Sequence, residues 1–388
     1  MIEVSDILRR HVGEYLVKYG SNIPANHLKA IHDMLRCRTS SNGGTTWYCK
    51  ECRTYIYSYH SCGNRNCNKC QNELIEHWFE KARESLLPVN HFLITFTIPE
   101  SLRLLARANQ KLFYGLLFKA ATASLQTLAS DTRFAGGTLG MIGVLHTWSR
   151  TLVYHPHVHF IVTGGGWFED ENIWLPCKEK FLVPVRALSK IFRAKFRDYL
   201  RTKDPAIFTT INQKVWKNKW VIHSQAVGSG EDALKYLSQY IFKPAISNKR
   251  VLSLKEGVVT FKYQNSNTKE WKIMKLDSLA FIRLYLMHVL PRGFVKVRYF
   301  GIYAHVSLKK LKKVKMTLNT TVAQTSSKLK SECPNHETQT AETIMICPKC
   351  HQPVVFIKRK NKPACMAYYP KAPPAKERII HAIQIFLR

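Results

Sequence analysis

The sequence predicts an α+β fold, and three observations lead to this prediction. Between residues 89 and 305, segments with β-branched or alternating apolar residues are interspersed with segments whose apolar residues recur at helical spacing. The chain has 388 residues, of which 45% are hydrophobic, which suits two or three domains with a substantial core. Paired Cys-x2-Cys turns precede this region and lysines follow it. We therefore expect a helical and cysteine-rich module at residues 1–88, an α+β domain at 89–305 and a basic region at 306–388.

The first module begins with two predicted helices. Apolar residues recur every three or four positions over Val4–Tyr19 and again over Ala25–Leu35. The cysteine-rich stretch ends at Cys70. A polar and aromatic helix is then predicted over Glu73–Leu87, and Pro88 ends it.

The central domain alternates between the two kinds of pattern. Strands, which are rich in β-branched and aromatic residues, are predicted at His91–Ile98, Thr138–Thr147, Val153–Thr163, Val215–Gln225, Gly257–Tyr263, Glu270–Lys275 and Val295–Tyr303. Helices are predicted at Leu102–Leu128, Phe181–Leu200, Asp232–Phe242 and Ser278–Val289.

Net charge narrows the class of function. The 59 Lys and Arg residues exceed the 26 Asp and Glu residues by 33, and such an excess indicates a polyanionic partner, most simply nucleic acid. No apolar run reaches the roughly 18 residues that a membrane span needs. The first ten residues contain Glu3 and Asp6 and lack the apolar stretch of a signal peptide. We expect a cytosolic protein with no membrane partner.

The basic surface is predicted from residues 278–331, which include no Asp or Glu. In Val295-Lys296-Val297-Arg298-Tyr299, the two cations alternate with apolar residues and therefore share one face of a strand. Such a face suits contacts with phosphates. The residues expected to bind DNA are Arg292, Lys296, Arg298, Lys309 and Lys310.

The paired cysteines predict a zinc site. Cys49-x2-Cys52 and Cys67-x2-Cys70 are separated by fourteen residues, and two such turns together supply the four thiolates of a tetrahedral structural Zn²⁺. Three further residues, Cys37, His60 and Cys62, could build a second site or replace one of these four ligands.

The basic C-terminal region contains a second pattern of this kind. Cys333-x2-His336 is followed, after ten residues, by Cys347-x2-Cys350. This layout is that of a further zinc ribbon, with His351 and Cys365 as competing ligands.

A strand with alternating histidines predicts a second kind of metal site. In His155-Pro156-His157-Val158-His159-Phe160, the apolar residues point to one face and His157 and His159 point to the other. Two imidazoles at this spacing can share one divalent ion. Pro156 indicates an edge strand or the start of a strand.

Two tyrosines lie one helical turn apart on the helix predicted after the histidine strand. Tyr236 and Tyr240 share a face that differs from the apolar stripe, and Lys243 follows three residues later. By themselves such tyrosines most often pack at an interface. Beside a phosphate polarised by a metal ion, however, a phenol can attack phosphorus and form a covalent link to DNA.

Together these features resemble the HUH endonuclease–transposases, which carry two histidines around one hydrophobic residue, here His157-Val158-His159. The tyrosine helix resembles the two-tyrosine motif of rolling-circle initiators. The closest resemblance is to the bacterial rolling-circle transposases of the insertion-sequence ninety-one type. The matching pieces stand in family order over residues 37–304: Ser61-Cys62-Gly63-Asn64-Arg65, Phe96-Thr97-Ile98-Pro99, Leu145-His146-Thr147-Trp148, Gly164-Gly165-Gly166 and Leu290-Pro291-Arg292-Gly293-Phe294. Asn66 departs from the family, which has His before the third cysteine.

The resemblance implies an antiparallel sheet with the histidine strand at its centre and the tyrosine helix packed over the metal. His157 and His159 would hold Mg²⁺ or Mn²⁺, with Gln239 slightly favoured over His146 as the third ligand. One tyrosine would cleave single-stranded element ends or target DNA and keep a 5′-phosphotyrosine link. The second tyrosine would allow another strand transfer. The implied location is the bacterial cytoplasm, at the nucleoid.

Two other functions fit parts of the pattern. A plasmid replication initiator or relaxase would use the same nuclease chemistry, although the cysteine module ahead of the histidine strand favours the transposase. A zinc-dependent DNA-binding regulator without catalysis would make His157, His159, Tyr236 and Tyr240 dispensable.

Overall fold

A computed structural model of the chain describes residues 2–70, 78–80, 82–228, 232, 234–235, 238, 244–265, 268–325 and 345–361. The chain divides into two units, each drawn from separate stretches. Unit 1 consists of residues 1–72, 246–289 and 330–388, and unit 2 consists of residues 73–245 and 290–329. Helices combine with antiparallel sheets, so the predicted α+β class is confirmed. The predicted domain boundaries stay a prediction.

The described elements are numbered along the chain. The helices are α1 (Val4–Tyr19), α2 (Ala25–Arg36), α3 (Arg103–Ala108), α4 (Gln110–Ala129), α5 (Val185–Lys203), α6 (Pro205–Thr209), α7 (Ser278–Leu286) and α8 (Leu308–Thr325). The strands are β1 (Gly44–Cys49), β2 (Thr54–Tyr59), β3 (His91–Thr97), β4 (Gly140–Trp148), β5 (Tyr154–Thr163), β6 (Gly165–Phe168), β7 (Ile173–Pro176), β8 (Ile222–Gly228), β9 (Val251–Lys255), β10 (Val258–Gln264), β11 (Trp271–Asp277), β12 (Val297–Gly301) and β13 (Val355–Lys360). None of the described helices is both long enough and apolar enough to cross a membrane.

Unit 1 contains two three-stranded sheets, with orders β13-β1-β2 and β11-β10-β9. Helix α1 buries Ile7, Leu8 and Leu16 and packs against α7. Strands β1, β2 and β13 were not predicted. The signal that could have predicted β1 and β2 is the high β-propensity of Thr, Trp, Tyr and Ile on both sides of the Cys49–Cys52 turn.

Unit 2 is built on a five-stranded antiparallel sheet with order β12-β4-β5-β3-β8, so the histidine strand β5 is central. Helices α4 and α5 pack against each other, and aromatic side chains fill the space between them and one face of the sheet: Phe96, Phe118, Phe160 and Phe192. Pro156 lies in a central strand, near its start. It lies where the pairing with β4 is irregular and one residue before the pairing with β3 begins, so the loss of its N–H is tolerated there.

The other face of this sheet carries a hydrophobic cluster of unit 2. Leu93, Ile142 and Ile161 come from neighbouring strands and are buried together with Leu234. Helix α8 adds Leu311, Val314 and Leu318, whose spacing of three and four residues forms one apolar stripe.

Several predicted elements need correction. The helix predicted over Leu102–Leu128 is interrupted at Asn109, whose backbone is not helical, and therefore forms α3 and α4. Helix α5 begins only after Pro184. The strand predicted from Val215 begins at Ile222, because residues 213–216 form a 3₁₀ turn. The basic region expected at 306–388, for which no helix was predicted, begins with a helix, α8.

Candidate metal centres and active site

Three histidines converge on one face of the unit 2 sheet. His157 and His159 alternate along β5, and β4 pairs His146 directly with His157. The ring centroid of His146 lies 5.5 Å from that of His157 and 4.9 Å from that of His159, and the His157 and His159 centroids are 4.7 Å apart. The sheet register therefore brings an imidazole from a second strand to the predicted pair.

The spacing of these rings fits one metal ion. A ligating nitrogen from each of the three residues lies within 4.8 Å of the other two. A common ion at about 2.1 Å from each nitrogen needs nitrogens about 3 to 3.5 Å apart, so an ion bound here would draw the three rings closer together. Neutral imidazoles leave the full charge of a divalent cation uncompensated. The cation would therefore attract phosphate oxygens and water to its remaining positions.

Hydrogen bonds orient two of the rings. Nδ1 of His157 lies 2.7 Å from the carbonyl oxygen of His155, and Nδ1 of His159 lies 2.9 Å from the hydroxyl oxygen of Thr95. With Nδ1 as the donor in both, the lone pair of each ring is at Nε2. Burial lowers the pKa of His157 well below its ordinary value and, with repulsion from His223 and Lys296, lowers that of His159 to about 4. Both rings are therefore neutral, as metal ligation requires.

Aromatic and basic side chains surround the three histidines. The Trp148 ring stacks on His146 with centroids 4.6 Å apart, and the ammonium of Lys296 lies 5.1 Å from the centre of the Trp148 ring. His223 on β8 is exposed and pairs with Thr95 in the neighbouring strand. A phosphate placed at the histidines would thus meet a cation and an aromatic surface.

The residues predicted on the tyrosine helix, Tyr236, Gln239, Tyr240 and Lys243, lie outside the described residues. Leu234, two positions before Tyr236, is helical and fully buried in the cluster that contains Leu93 and Ile161. On their strands, Leu93 and Ile161 lie two residues from Thr95 and His159 and therefore share the histidine face. Of the two candidates for a third ligand, the described residues place His146 at the site.

Sequence reasoning missed Thr95 and His223. Thr95 alternates with the buried Ile94 and Phe96 on β3, and this alternation was a signal that its side chain lies on the face opposite theirs. Its pairing with His159 and His223 depends on the register of three strands, which the sequence does not reveal.

The cations predicted to bind DNA have different surroundings. The Arg298 guanidinium lies 4.6 Å and 4.9 Å from the ring centres of Phe118 and Phe294, so this side chain packs on aromatic rings. Lys310 forms an ion pair with Glu169 at 2.6 Å. Lys296 lies beside the histidines, and Lys309 and Arg292 are exposed.

The first cysteine quartet consists of Cys37, Cys62, Cys67 and Cys70, whose sulfurs all lie within 4.8 Å of one another. Sγ of Cys70 is 3.5 Å from Sγ of both Cys37 and Cys62. Tetrahedral zinc with Zn–S bonds of about 2.3 Å places sulfurs about 3.8 Å apart, so the quartet fits zinc closely. The backbone N–H of Cys62 also donates to Cys37 Sγ, which stabilises a thiolate.

The second quartet joins residues almost 300 positions apart: Cys49, Cys52, Cys347 and Cys350. The Sγ atoms of Cys49 and Cys350 are 3.5 Å apart, and those of Cys52 and Cys347 are 4.0 Å apart. Backbone N–H groups of Cys350 and Lys349 lower the pKa of Cys347 to about 6, which favours the metal-binding thiolate.

This grouping corrects the predicted pairing of the cysteines. Cys49 and Cys52 do not meet Cys67 and Cys70, because Cys37 and Cys62 complete the site of the latter pair. Cys347 and Cys350 meet the β1–β2 turn, whereas their predicted partners Cys333 and His336 lie outside the described residues. His60 is in neither quartet, and its Nε2 contacts the carbonyl oxygen of Lys360.

Comparison with known proteins gives two family matches. A family model described as "Putative transposase" matches residues 140–311, and one described as "Transposase zinc-binding domain" matches residues 7–98. The chain is 33% identical to "Putative transposase y4qJ" of Sinorhizobium fredii over 371 residues, which cover 90% of this chain and 93% of that protein. It is 27% identical to "Transposase for insertion sequence element IS801" of Pseudomonas savastanoi pv. phaseolicola over 299 residues. These residues cover 72% of this chain and 70% of that protein. No solved structure matches the chain.

Proposed function

Because this chain belongs to the transposases of the insertion-sequence ninety-one type, which have an N-terminal zinc-binding domain, we propose that it cleaves and rejoins single-stranded DNA through a phosphotyrosine link. The proposed site combines His146, His157 and His159 with the tyrosines at positions 236 and 240. The proposed substrates are the ends of its own mobile element and the target DNA.

The observation that supports this proposal best is the convergence of three histidine nitrogens within 4.8 Å on the central strands of the sheet. The burial of Leu234 on the same sheet face also supports it, because Leu234 stands two positions before Tyr236 in the sequence. A regulator that only binds DNA has no use for neutral imidazoles grouped beside a lysine. A replication initiator would share the chemistry, but the two relatives described above are named as transposases.

In the proposed reaction, the phenol oxygen of Tyr236 or Tyr240 attacks phosphorus and forms the O–P bond while the P–O3′ bond breaks. The phenol gives up its proton and the departing oxygen takes one up, which leaves a free 3′-OH and a 5′-phosphotyrosine. A bound Mg²⁺ or Mn²⁺ would polarise the scissile phosphate. Lys243 would offset the charge of the phosphate. In the rejoining step, a 3′-OH would attack the phosphotyrosine, form a new phosphodiester bond and release the tyrosine.

Incubation of the full chain with labelled single-stranded element ends and Mn²⁺ or Mg²⁺ tests the proposal. We expect a denaturation-resistant protein–DNA adduct that carries the 5′ side of the cut, together with a free 3′-OH fragment. The same DNA as a perfect duplex serves as the control. Cleavage without any adduct would contradict the tyrosine mechanism, and binding without cleavage would favour the regulator.

Thr95 is expected to act as a positioning residue for His159. Thr95→Val removes the hydroxyl that lies 2.9 Å from Nδ1, and loss of such a partner typically costs about 10–100-fold in metal affinity. We therefore expect the Mn²⁺ concentration for half-maximal cleavage to rise by roughly that factor. Thr95→Ser should restore it, and Thr97→Val on the same strand is the matched control. Equal effects of the two valine variants would assign Thr95 a packing role only.

Zinc is the structural metal of this family's N-terminal domain. We propose that each cysteine quartet holds one zinc ion. The first ion would be bound by Cys37, Cys62, Cys67 and Cys70. The second ion would be bound by Cys49, Cys52, Cys347 and Cys350. The second ion would connect residues 345–361 to the β1–β2 hairpin and so contribute folding free energy to a small sheet.

Elemental analysis of the purified chain tests these ligand sets. Cys350→Ser and Cys62→Ser should each lower the zinc content by one ion per chain, and the double variant should lower it by two, because the quartets share no ligand. Cys177→Ser is the control, since this cysteine lies in neither quartet. An unchanged zinc content in Cys350→Ser would contradict the second site.

A further inference from the structure

The sheet β13-β1-β2 of unit 1 has one face that carries tyrosines and lysines. Tyr55, Tyr57 and Tyr59 occupy every second position of β2 and therefore share this face. Their exposed fractions are 57%, 60% and 43%. Residues that pair directly across antiparallel strands share a face. The register pairs Thr46 with both Tyr57 and Lys358, and Gly44 with both Tyr59 and Lys360. Each of these two tyrosines therefore lies across the sheet from a lysine.

The opposite face differs in composition and burial. Trp47 and Phe356 pack there with ring centroids 5.6 Å apart, and Ile56 is half-buried. Hydrophobic contacts thus hold the sheet together on that face. They do not require any tyrosine on the first face, where large aromatic side chains stand exposed.

The residues between the tyrosines and the lysines are small. A Cβ added to Gly44 would lie 3.1 Å from the Tyr59 ring, so the ring leans over the glycine. Thr46 separates Tyr57 from Lys358 in the same way. The two outer strands are about 9.6 Å apart, which leaves room for a flat ring on the tyrosines and an anionic group near the lysines.

We propose that this face binds single-stranded DNA, with bases stacked on Tyr57 and Tyr59 and the backbone phosphates at Lys358 and Lys360. The inference rests on the proposed function, since it assumes a DNA substrate. Alternate residues of β2 are about 7 Å apart, a spacing over which neighbouring bases of an unpaired strand can reach successive rings. Duplex DNA keeps its bases stacked on each other and cannot use the rings in this way.

The charge of the face supports this occupant. The three strands contain no Asp or Glu, and β13 ends in Lys358-Arg359-Lys360. Stacking on aromatic rings depends little on base sequence, and lysines contact the backbone of any sequence. The face would therefore hold unpaired DNA without selecting its sequence, and recognition of a particular end would lie elsewhere.

Binding of a fluorescent single-stranded oligothymidine to the full chain tests the proposal, with no divalent metal added so that cleavage does not contribute. Base stacking is worth about 1–3 kcal/mol per base, so Tyr57→Ala with Tyr59→Ala should weaken binding at least about tenfold. Tyr57→Phe with Tyr59→Phe keeps both rings and should bind as the unaltered chain does. Lys358→Ala should weaken binding and reduce its salt dependence.

Two further measurements distinguish lost stacking from misfolding and from a general loss of DNA affinity. The zinc content and thermal unfolding of the alanine variant should match those of the unaltered chain, and its affinity for a duplex of the same length should be unchanged. An unaltered affinity for oligothymidine, or an equal loss for duplex, would overturn the proposal. A change of oligomeric state in the alanine variant would assign the face to contact between copies. If the unaltered chain binds oligothymidine but forms no adduct through Tyr236 or Tyr240, this result would contradict the nuclease proposal. The proposal that the tyrosine and lysine face binds single-stranded DNA would still stand.

Discussion

His157→Ala is expected to abolish DNA cleavage by the full chain and to leave DNA binding within about twofold. The ring supplies one of three nitrogens that lie within 4.8 Å of each other, and two imidazoles hold a divalent ion much more weakly than three. Without the ion, the phosphate loses its main electrostatic stabilisation in the transition state, a loss on the order of a thousandfold or more. We expect binding to persist, because the basic residues proposed to contact DNA are distributed over several strands and helices.

The control for this variant is His223→Ala. His223 lies on the neighbouring strand β8 and is exposed, but it is not one of the three grouped histidines. Cleavage should fall by much less than in His157→Ala, and thermal unfolding should show that both variants fold. His146→Ala distinguishes the ligand sets, because it should match His157→Ala only if His146 is the third ligand. Full cleavage by His157→Ala in Mn²⁺ would contradict the metal site.

Tyr236→Phe combined with Tyr240→Phe is expected to eliminate the covalent adduct. Each substitution removes one oxygen atom, so the fold should be preserved while both candidate nucleophiles are lost. The measurement is the adduct assay with single-stranded element ends. Tyr199→Phe is the control for the removal of a phenol oxygen from a different helix. Tyr199 lies on helix α5, and the Lys119 ammonium is 4.2 Å from the centre of its ring. Each single variant should still form an adduct but fail to complete transposition, because two strand transfers need two attachment points.

A different result would redirect the mechanism. If the double variant still cleaves single-stranded ends, the nucleophile is a water molecule, and the histidine cluster belongs to a hydrolytic nuclease. If one single variant already abolishes the adduct, that tyrosine alone starts the reaction. Neither result would affect the assignment of zinc to the cysteine quartets, which depends on a separate group of residues.

The short-range patterns in the sequence were the most informative. The alternation in His155–Phe160 predicted that His157 and His159 share the polar face of a strand, and their pairing with Thr97 and Thr95 is consistent with it. Helix α1 was predicted with its observed bounds. Longer patterns failed where one residue interrupts them: Asn109 divides a helix, and Pro184 delays the start of another.

The histidine face shows what the sequence could not determine. Position 146 was one of two candidates for the third ligand, because the sequence contains no information on the register between β4 and β5. Pairing of His146 with His157 brings it to the site, and pairing of Thr95 with His159 adds the hydroxyl. Both depend on hydrogen bonds between strands that are separated along the chain.

The cysteines separate the two kinds of information most clearly. The sequence by itself determined that Cys49-x2-Cys52, Cys67-x2-Cys70 and Cys347-x2-Cys350 are half-sites, because a two-residue spacing turns both sulfurs toward one point. A half-site carries no information about its partner, since any second pair of thiolates satisfies tetrahedral zinc equally well. The tertiary structure decided the partners: pairing of β1 with β13 brings Cys347 and Cys350 to Cys49 and Cys52, and the loop after β2 brings Cys62 to Cys67 and Cys70.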